Sequence, residues 1–392
     1  MKQIISVLSS IRLTVSLLFL GTVLIFFGTL DQVHIGIRGA QEQYFESILA
    51  FWHYPYQWPL GDHLNWLALP IPGGYLIGPI LVVNLVFAHF RYFRRTWKKV
   101  GIVGIHAGVV LLLVSQLMTN LLQEENNMWI KEGARSNFME SSVDHELVII
   151  DRSGGTKDAV VSIPESLFSR QSVFRHPKLP FRVTVSDHHI NARMSSWNAT
   201  STQEPLAVSS GIAGEADVVV TPVPETFKLN ERNLPTAVVE LAAPSGTIGT
   251  WLVSTMFTDS APPQRFTFEG KPYEIALRLK RTYLPYSIEL IDFTHDRYPG
   301  TEIPKNFASD IRIHNPEKDE YRKTRIYMNH PLRYEGLTFF QASFTKDDKA
   351  SMFQVVRNPG WLIPYISCGL VSAGLLTQFG IHLFAFAARR RT

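Results

Sequence analysis

Residues 91–122 read RYFRRTWKKVGIVGIHAGVVLLLVSQLMTNLL, a basic cluster followed by an apolar run from Val100. At about 1.5 Å per residue, a helix over Val100–Leu122 reaches across the roughly 30 Å hydrocarbon layer of a bilayer. One imidazole, His106, lies inside the basic end of the run. An ionisable ring is costly in a lipid-facing segment, so as a rule it faces a partner helix, a cavity or a ligand. Two readings stand side by side: a neutral imidazole bonded to a neighbouring helix's carbonyl, and an axial ligand to haem iron, for which neutral imidazole is a common donor. Gly101, Gly104 and Gly108 recur at three- and four-residue steps. They share one helical face, with room for a close helix or for a flat ligand in a haem-facing groove at Gly104 and Gly108.

Outward from this run, three further apolar blocks read as spanning helices, at about 11–30, 71–90 and 361–388. They divide the 392 residues into a membrane part, 1–122, a polar globular insert, 123–360, the fourth span and a basic tail, 389–392. The first block carries only Lys2 and Arg12 at its start. It is long for a signal core, and FFGTLDQ lacks a small-x-small cleavage site, so it reads as a retained helix. The net charge of +4 gathers in membrane-flanking clusters at 91–99 and 389–391, which argues for orientation in a membrane and against nucleic-acid binding. The connection 31–70 carries Arg38 and no other arginine or lysine. By the positive-inside rule both termini are cytoplasmic, the insert is extracytoplasmic, and the protein sits as a multi-pass protein in the cell (inner or plasma) membrane. Cys368 is the sole cysteine and lies in the fourth span, which excludes dithiol exchange by this chain alone; it has no C-x-x-C-H.

In the segment 38–60, Phe45, Ile48, Leu49 and Trp52 recur at helical spacing, and Tyr44, Tyr54, Tyr56 and Trp58 add aromatic rings. This predicts a short interfacial helix, an aromatic belt that anchors the chain or offers a platform to a partner or an apolar ligand. The second span opens on PIPGG and ends near His89; the fourth contains His382. Both histidines fall close to the inner boundary, where a side chain snorkels to water, so they are weaker ligand candidates than His106.

The insert alternates apolar and polar residues between turn signals, as in HELVII, RVTVSD, TAVVELAA, YSIELIDF and SDIRIHN. A dozen such runs predict an antiparallel all-β domain, a sandwich or open barrel, joined to four transmembrane helices. Residues 200–214 lack periodicity and read as a loop, and Asn198-Ala199-Thr200 is a chance glycosylation triplet. Asn329-His330-Pro331 and Tyr334-Glu335-Gly336 read as turns before the β-prone Leu337–Phe340. The insert's histidines, His145, His176, His188, His189, His295, His314 and His330, form no spaced metal signature and read as surface residues. His188 and His189 should point to opposite faces if they share a strand. The chain has no G-x-S-x-G, P-loop or G-x-G-x-x-G, which removes the usual hydrolase and nucleotide readings. Four helices with few polar residues also make a poor channel.

The phrases LSSIRLTVSLLFLGTVLIFFGT, KKVGIVGIHAGVVLLLVSQL, MWIKEGARSN and above all MNHPLRYEGLTFFQASF resemble the ResB (CcsB) family. That family is the partner of CcsA in the System II route of cytochrome c maturation. The likeness covers both ends and the order of parts; about 150–310 matches by architecture only. It implies a complex that carries haem b across the membrane and presents it to apocytochrome c, not catalytic in this subunit alone but part of a membrane cytochrome c synthase. It implies that His106 matches a third-helix histidine that helps hold haem iron, with another axial histidine from the CcsA-type membrane protein. His89 and His382 match no family ligand. The rival from the residues alone is a membrane-anchored extracytoplasmic scaffold that binds protein and no haem.

Overall fold

A computed structural model describes residues 2–55, 58–64, 66–92, 99–155, 157–168, 171–197, 204–228, 231–301, 303–345 and 347–390. Its helices are α1 (Lys2–Leu8), α2 (Ile11–Ala40), α3 (Gly61–Leu64), α4 (Gly74–Tyr92), α5 (Val100–Leu122), α6 (Thr255–Ser260) and α7 (Ile363–Arg389). Contacts divide the chain into one unit of Met1–Gln123, Phe227–Arg232 and Asn358–Thr392, and a second of Glu124–Thr226 and Asn233–Arg357. Among the described residues, four helical spans are long and apolar enough to cross a membrane: Ile11–Phe45, Gly74–Arg91, Val100–Leu122 and Ile363–Arg389. Arg94, Arg95 and Lys98 of the basic cluster, Tyr56 of the aromatic segment, the triplet at Asn198 and the tail's Arg391 and Thr392 lie outside the described residues.

The first span runs ten residues past the expected end at Leu30, to Ala40. Asp31, the first charge past that end, accepts a 2.6 Å hydrogen bond from the hydroxyl of the fully buried Tyr44, so the carboxylate is partnered within the helix's extension. The bend comes later, at Gly36, whose φ of 77° favours glycine and where a Cβ would stand 2.3 Å from the Phe227 carbonyl oxygen.

The interfacial helix expected over 38–60 is a different structure. A π-helical turn closes at Phe45, and Leu49–His53 is then a strand paired antiparallel with Ala68–Pro72. The spacing of Phe45, Ile48, Leu49 and Trp52 mimics a helix, but burial alternates along the strand, with Ala50 and Trp52 inward. Trp52 packs 4.8 Å from the Phe27 ring and about 6 Å from Tyr54 and Trp58 (6.0 and 6.1 Å). Aromatic side chains on a two-stranded ribbon therefore replace the helical belt.

The second unit is antiparallel β throughout its named strand pairs. Its ten-stranded sheet forms a nearly closed barrel in the order 320–327, 304–315, 271–297, 135–151, 124–131, 350–357, 337–344, 332–334, with 264–268 and 159–164 attached beside that path. Two long strands, Lys271–Arg297 and Arg135–Asp151, pair from Tyr273–Asp151 to Glu289–Arg135, with irregular register after Leu279 and Tyr283. They serve two cores. Ile288, Leu290 and Met139 join Ile311, Phe339 and Phe353 in one; Leu147, Ile149, Ile275 and Leu277 join Val183, Val239 and Trp251 of a four-stranded sheet in the other. A buried ion pair, Arg278 to Glu146 at 2.9 Å, also bridges the two strands. The strand Glu124–Lys131 falls where the sequence reads polar; its alternation shows only through Met128 and Ile130, which are buried.

The turns at 329–337 take the conformations their residues predict. Asn329 has φ 63°, and Glu335 and Gly336 have φ 50° and 75°, two positive values that suit the tight hairpin joining Leu332–Tyr334 to Leu337–Phe344.

Candidate functional site

In the membrane unit, α5 presents two faces. Gly101, Gly104 and Gly108 meet α7: a Cβ at Gly101 would stand 2.5 Å from the Gly374 carbonyl oxygen, one at Gly104 3.4 Å from the Gly374 Cα, and one at Gly108 2.5 Å from Val371 Cγ2. Of the two occupants that the glycine spacing admits, the structure places a helix there, so the groove expected at Gly104 and Gly108 is filled by α7. Glycine lets the two backbones approach closely, which is how apolar helices gain packing energy in lipid.

At 100° per residue, His106 lies on another side of α5, where it is exposed in the unit. Its ring centroid is 5.7 Å from that of the half-buried His89 on α4, tilted by 45°. The Nδ1 of His106 is 2.8 Å from the Ile102 carbonyl oxygen one turn back. A carbonyl only accepts, so this contact selects the tautomer with hydrogen on Nδ1 and leaves the Nε2 lone pair available. The structure thus brings together two of the three intramembrane histidines. His382 instead takes a 2.9 Å hydrogen bond from Gln378 Nε2 on its own helix.

Asn84, which carried no signal in the sequence, is the fully buried polar residue of α4. Its Oδ1 accepts from the Thr14 hydroxyl at 2.5 Å and its Nδ2 donates to the Leu8 and Ser10 carbonyls at 2.8 and 3.1 Å, which ties the break between α1 and α2 to α4. Arg91 Nη1 adds a 2.8 Å bond to Ser9 Oγ. These bonds fix α4, and with it His89.

In the β unit, three of the histidines read as surface residues are largely covered. His145 Nδ1 and His188 Nε2 lie 3.0 and 2.6 Å from the two oxygens of Glu165, with side-chain exposures of only 10% and 15%. Burial opposes the charge on Glu165, but the hydrogen bonds from His145 and His188, and their charge, outweigh it and hold the carboxyl at about 2. His188 and His189 do not separate to opposite faces. A bulge with Asp187 at φ 46° breaks the alternation, and both line one cleft. His295 is 4% exposed and pairs with Asp348 at 3.0 Å. No spacing in sequence announces either set, because each partner arrives from a distant strand or turn. Among the described residues no group of three or more His, Cys, Asp or Glu side chains could hold a metal ion by itself.

The hairpin carrying NHPLRYEGLTFFQASF lies within residues 267–352, and this segment matches the profile of the ResB-like family. Over this segment the chain is similar to the ResB-like family. The chain is also similar to the Protein NrfI of Wolinella succinogenes, 33% identical over 93 residues, and to the Cytochrome c biogenesis protein CcsB of Prochlorococcus marinus, 39% identical over 59 residues. A CcsB of Picosynechococcus sp. is 38% identical over 61 residues. These alignments cover 24%, 15% and 16% of the chain, and span 10%, 14% and 13% of the respective relatives. The ResB-like segment contains the barrel's closing strands, whereas His89, His106, His145 and Glu165 all precede it.

Proposed function

We propose that the chain acts in cytochrome c biogenesis as a haem-handling subunit. It works beside a CcsA-type membrane protein, helps carry haem b across the cell membrane and presents it to apocytochrome c. In this reading both termini are cytoplasmic, the β unit is extracytoplasmic, and membrane lipid surrounds the four spans. The names of the relatives support the process, and His106 on α5 is the observation that carries the haem reading.

The residues present fit that cargo. Haem offers an iron that accepts imidazole nitrogen. His106 supplies a neutral ring whose Nδ1–H is already engaged by the Ile102 carbonyl, with Nε2 as the donor. An outer partner on the non-ligating nitrogen is the usual way in which a ligating histidine keeps its tautomer and its orientation. His89 acts as the neighbouring positioning ring, and the second axial donor comes from the partner subunit.

The test is an absorption spectrum of the purified protein, alone and with a CcsA-type partner. A b-type Soret band in either sample is the expected result. Its absence from both, with the chain still able to pull down an extracytoplasmic protein, would return the reading to a membrane-anchored scaffold.

A further inference from the structure

His145, Glu165 and His188 lie on the wall of a cleft of about 790 Å³ within the β unit, a size within the range of small-molecule and cofactor sites. The carboxylate of Glu165 takes one hydrogen bond from each ring, and a carboxylate that only accepts dictates which nitrogens carry hydrogen. His145 is then the Nδ1–H tautomer with its lone pair on Nε2. That nitrogen has no hydrogen-bond partner among the described residues. A carboxylate on Nδ1 behind an open Nε2 is the arrangement that orients histidine as a metal ligand and raises its basicity. One ligating ring does not assemble a site for a bare cation, in keeping with the absence of a three-ligand cluster among the described residues. It does suffice for iron already held by four equatorial nitrogens.

The rest of the wall suits a flat apolar body. Val143 and Ile190 line the cleft yet remain 44% and 49% exposed. Phe168 stands edge-on to His188, with centroids 5.1 Å apart at 86°. Lys280, beside the register shift that follows Leu279, is exposed on the rim and has no ion pair among the described residues. It offers a cation to a peripheral carboxylate, whereas Asp144 and Glu225, elsewhere on the wall, disfavour one.

We propose that this cleft is a second binding site for an iron porphyrin, with His145 Nε2 as axial ligand, Glu165 as its positioning residue and Lys280 as the partner of a propionate. The identity of the porphyrin rests on the haem reading given above; the site itself rests on the cleft and its histidines.

Hemin titration of the purified full chain in detergent tests it, with the His106→Gly variant as background so that the intramembrane ligand is absent. The His106→Gly protein should still bind one equivalent of hemin with a shifted Soret band. Adding His145→Ala should weaken that binding at least about tenfold, and adding Glu165→Gln should weaken it by a smaller factor with an altered Soret position, while metal-free protoporphyrin should bind poorly throughout. Far-ultraviolet circular dichroism checks that the barrel persists, and His145→Gln serves as the ligand variant if the alanine form does not fold. Identical titrations of His106→Gly with and without the His145 change, or equally tight binding of the metal-free porphyrin, would overturn the proposal. Failure of the intramembrane reading gives a different pattern: wild type and His106→Gly then titrate alike, whatever happens at His145.

Discussion

The rings of His89 and His106, on successive membrane helices, stand 5.7 Å apart, while His382 bonds to Gln378 on its own helix. This relationship ranks the three intramembrane histidines. His89→Ala should reduce haem in the purified complex measurably, because it removes the ring that limits how His106 can turn. His382→Ala should leave haem content within about the error of a pyridine haemochrome assay. Equal losses in the two variants would contradict the ranking.

The glycine face of α5 makes a steric prediction. A Cβ at Gly101 would lie 2.5 Å from a backbone oxygen of α7, but one at Gly104 would lie 3.4 Å from the nearest atom, an ordinary contact. Gly101→Ala should therefore lower the yield of folded protein, and Gly104→Ala should be tolerated with haem content unchanged. Loss of haem from a well-folded Gly104→Ala protein would reinstate Gly104 as ligand-facing.

Gly336, at φ 75° in a hairpin whose other central residue is Glu335 at 50°, has open space where a Cβ would go. The cost of substitution is conformational and not steric. Gly336→Val should destabilise the β unit by about 1–2 kcal/mol, seen as a melting point lower by a few degrees. Haem per folded molecule should not change. An unaltered melting point would reject the turn's requirement for glycine.

The sequence showed the spans, the all-β class and this hairpin, because each rests on a local signal: apolar length, alternation, or Asn and Gly at a turn. It misread 38–60 because the positions of Phe45, Ile48, Leu49 and Trp52 satisfy both helical spacing and, from Ala50 to Trp52, strand alternation. The strand Ala68–Pro72 that pairs with this segment decides the matter. Of the candidate site, only His106 stood out in the sequence. The approach of His89 depends on how α4 meets α5, and Glu165 becomes the partner of His145 and His188 only after three chain segments meet. Single residues brought together by tertiary structure leave no periodic trace.

The carboxyl of Glu165, held at about 2 against an ordinary 4.5, ties stability to pH. A depressed carboxyl contributes stability that is fully present above about pH 4.5 and is lost as pH falls toward 2. By proton linkage the difference is worth on the order of 3 kcal/mol. Glu165→Gln should lower the melting point of the β unit at about pH 5, and the gap from wild type should close as pH falls through that window. A gap that stays constant down to about pH 2 would show that the variant acts through packing and not through charge.

The haem reading stands or falls on His106. The measurement is the haem content of the complex with the CcsA-type partner, for wild type, His106→Gly, and His106→Gly with added imidazole, at equal complex abundance. The Nδ1 bond of His106 stays within its own helix, so deleting the ring should not harm insertion. His106→Gly should lose most intramembrane haem and cytochrome c maturation, and free imidazole, about the size of the deleted ring, should restore part of both. Full haem and normal maturation in the His106→Gly complex without imidazole would contradict the assignment and leave His106 a packing residue.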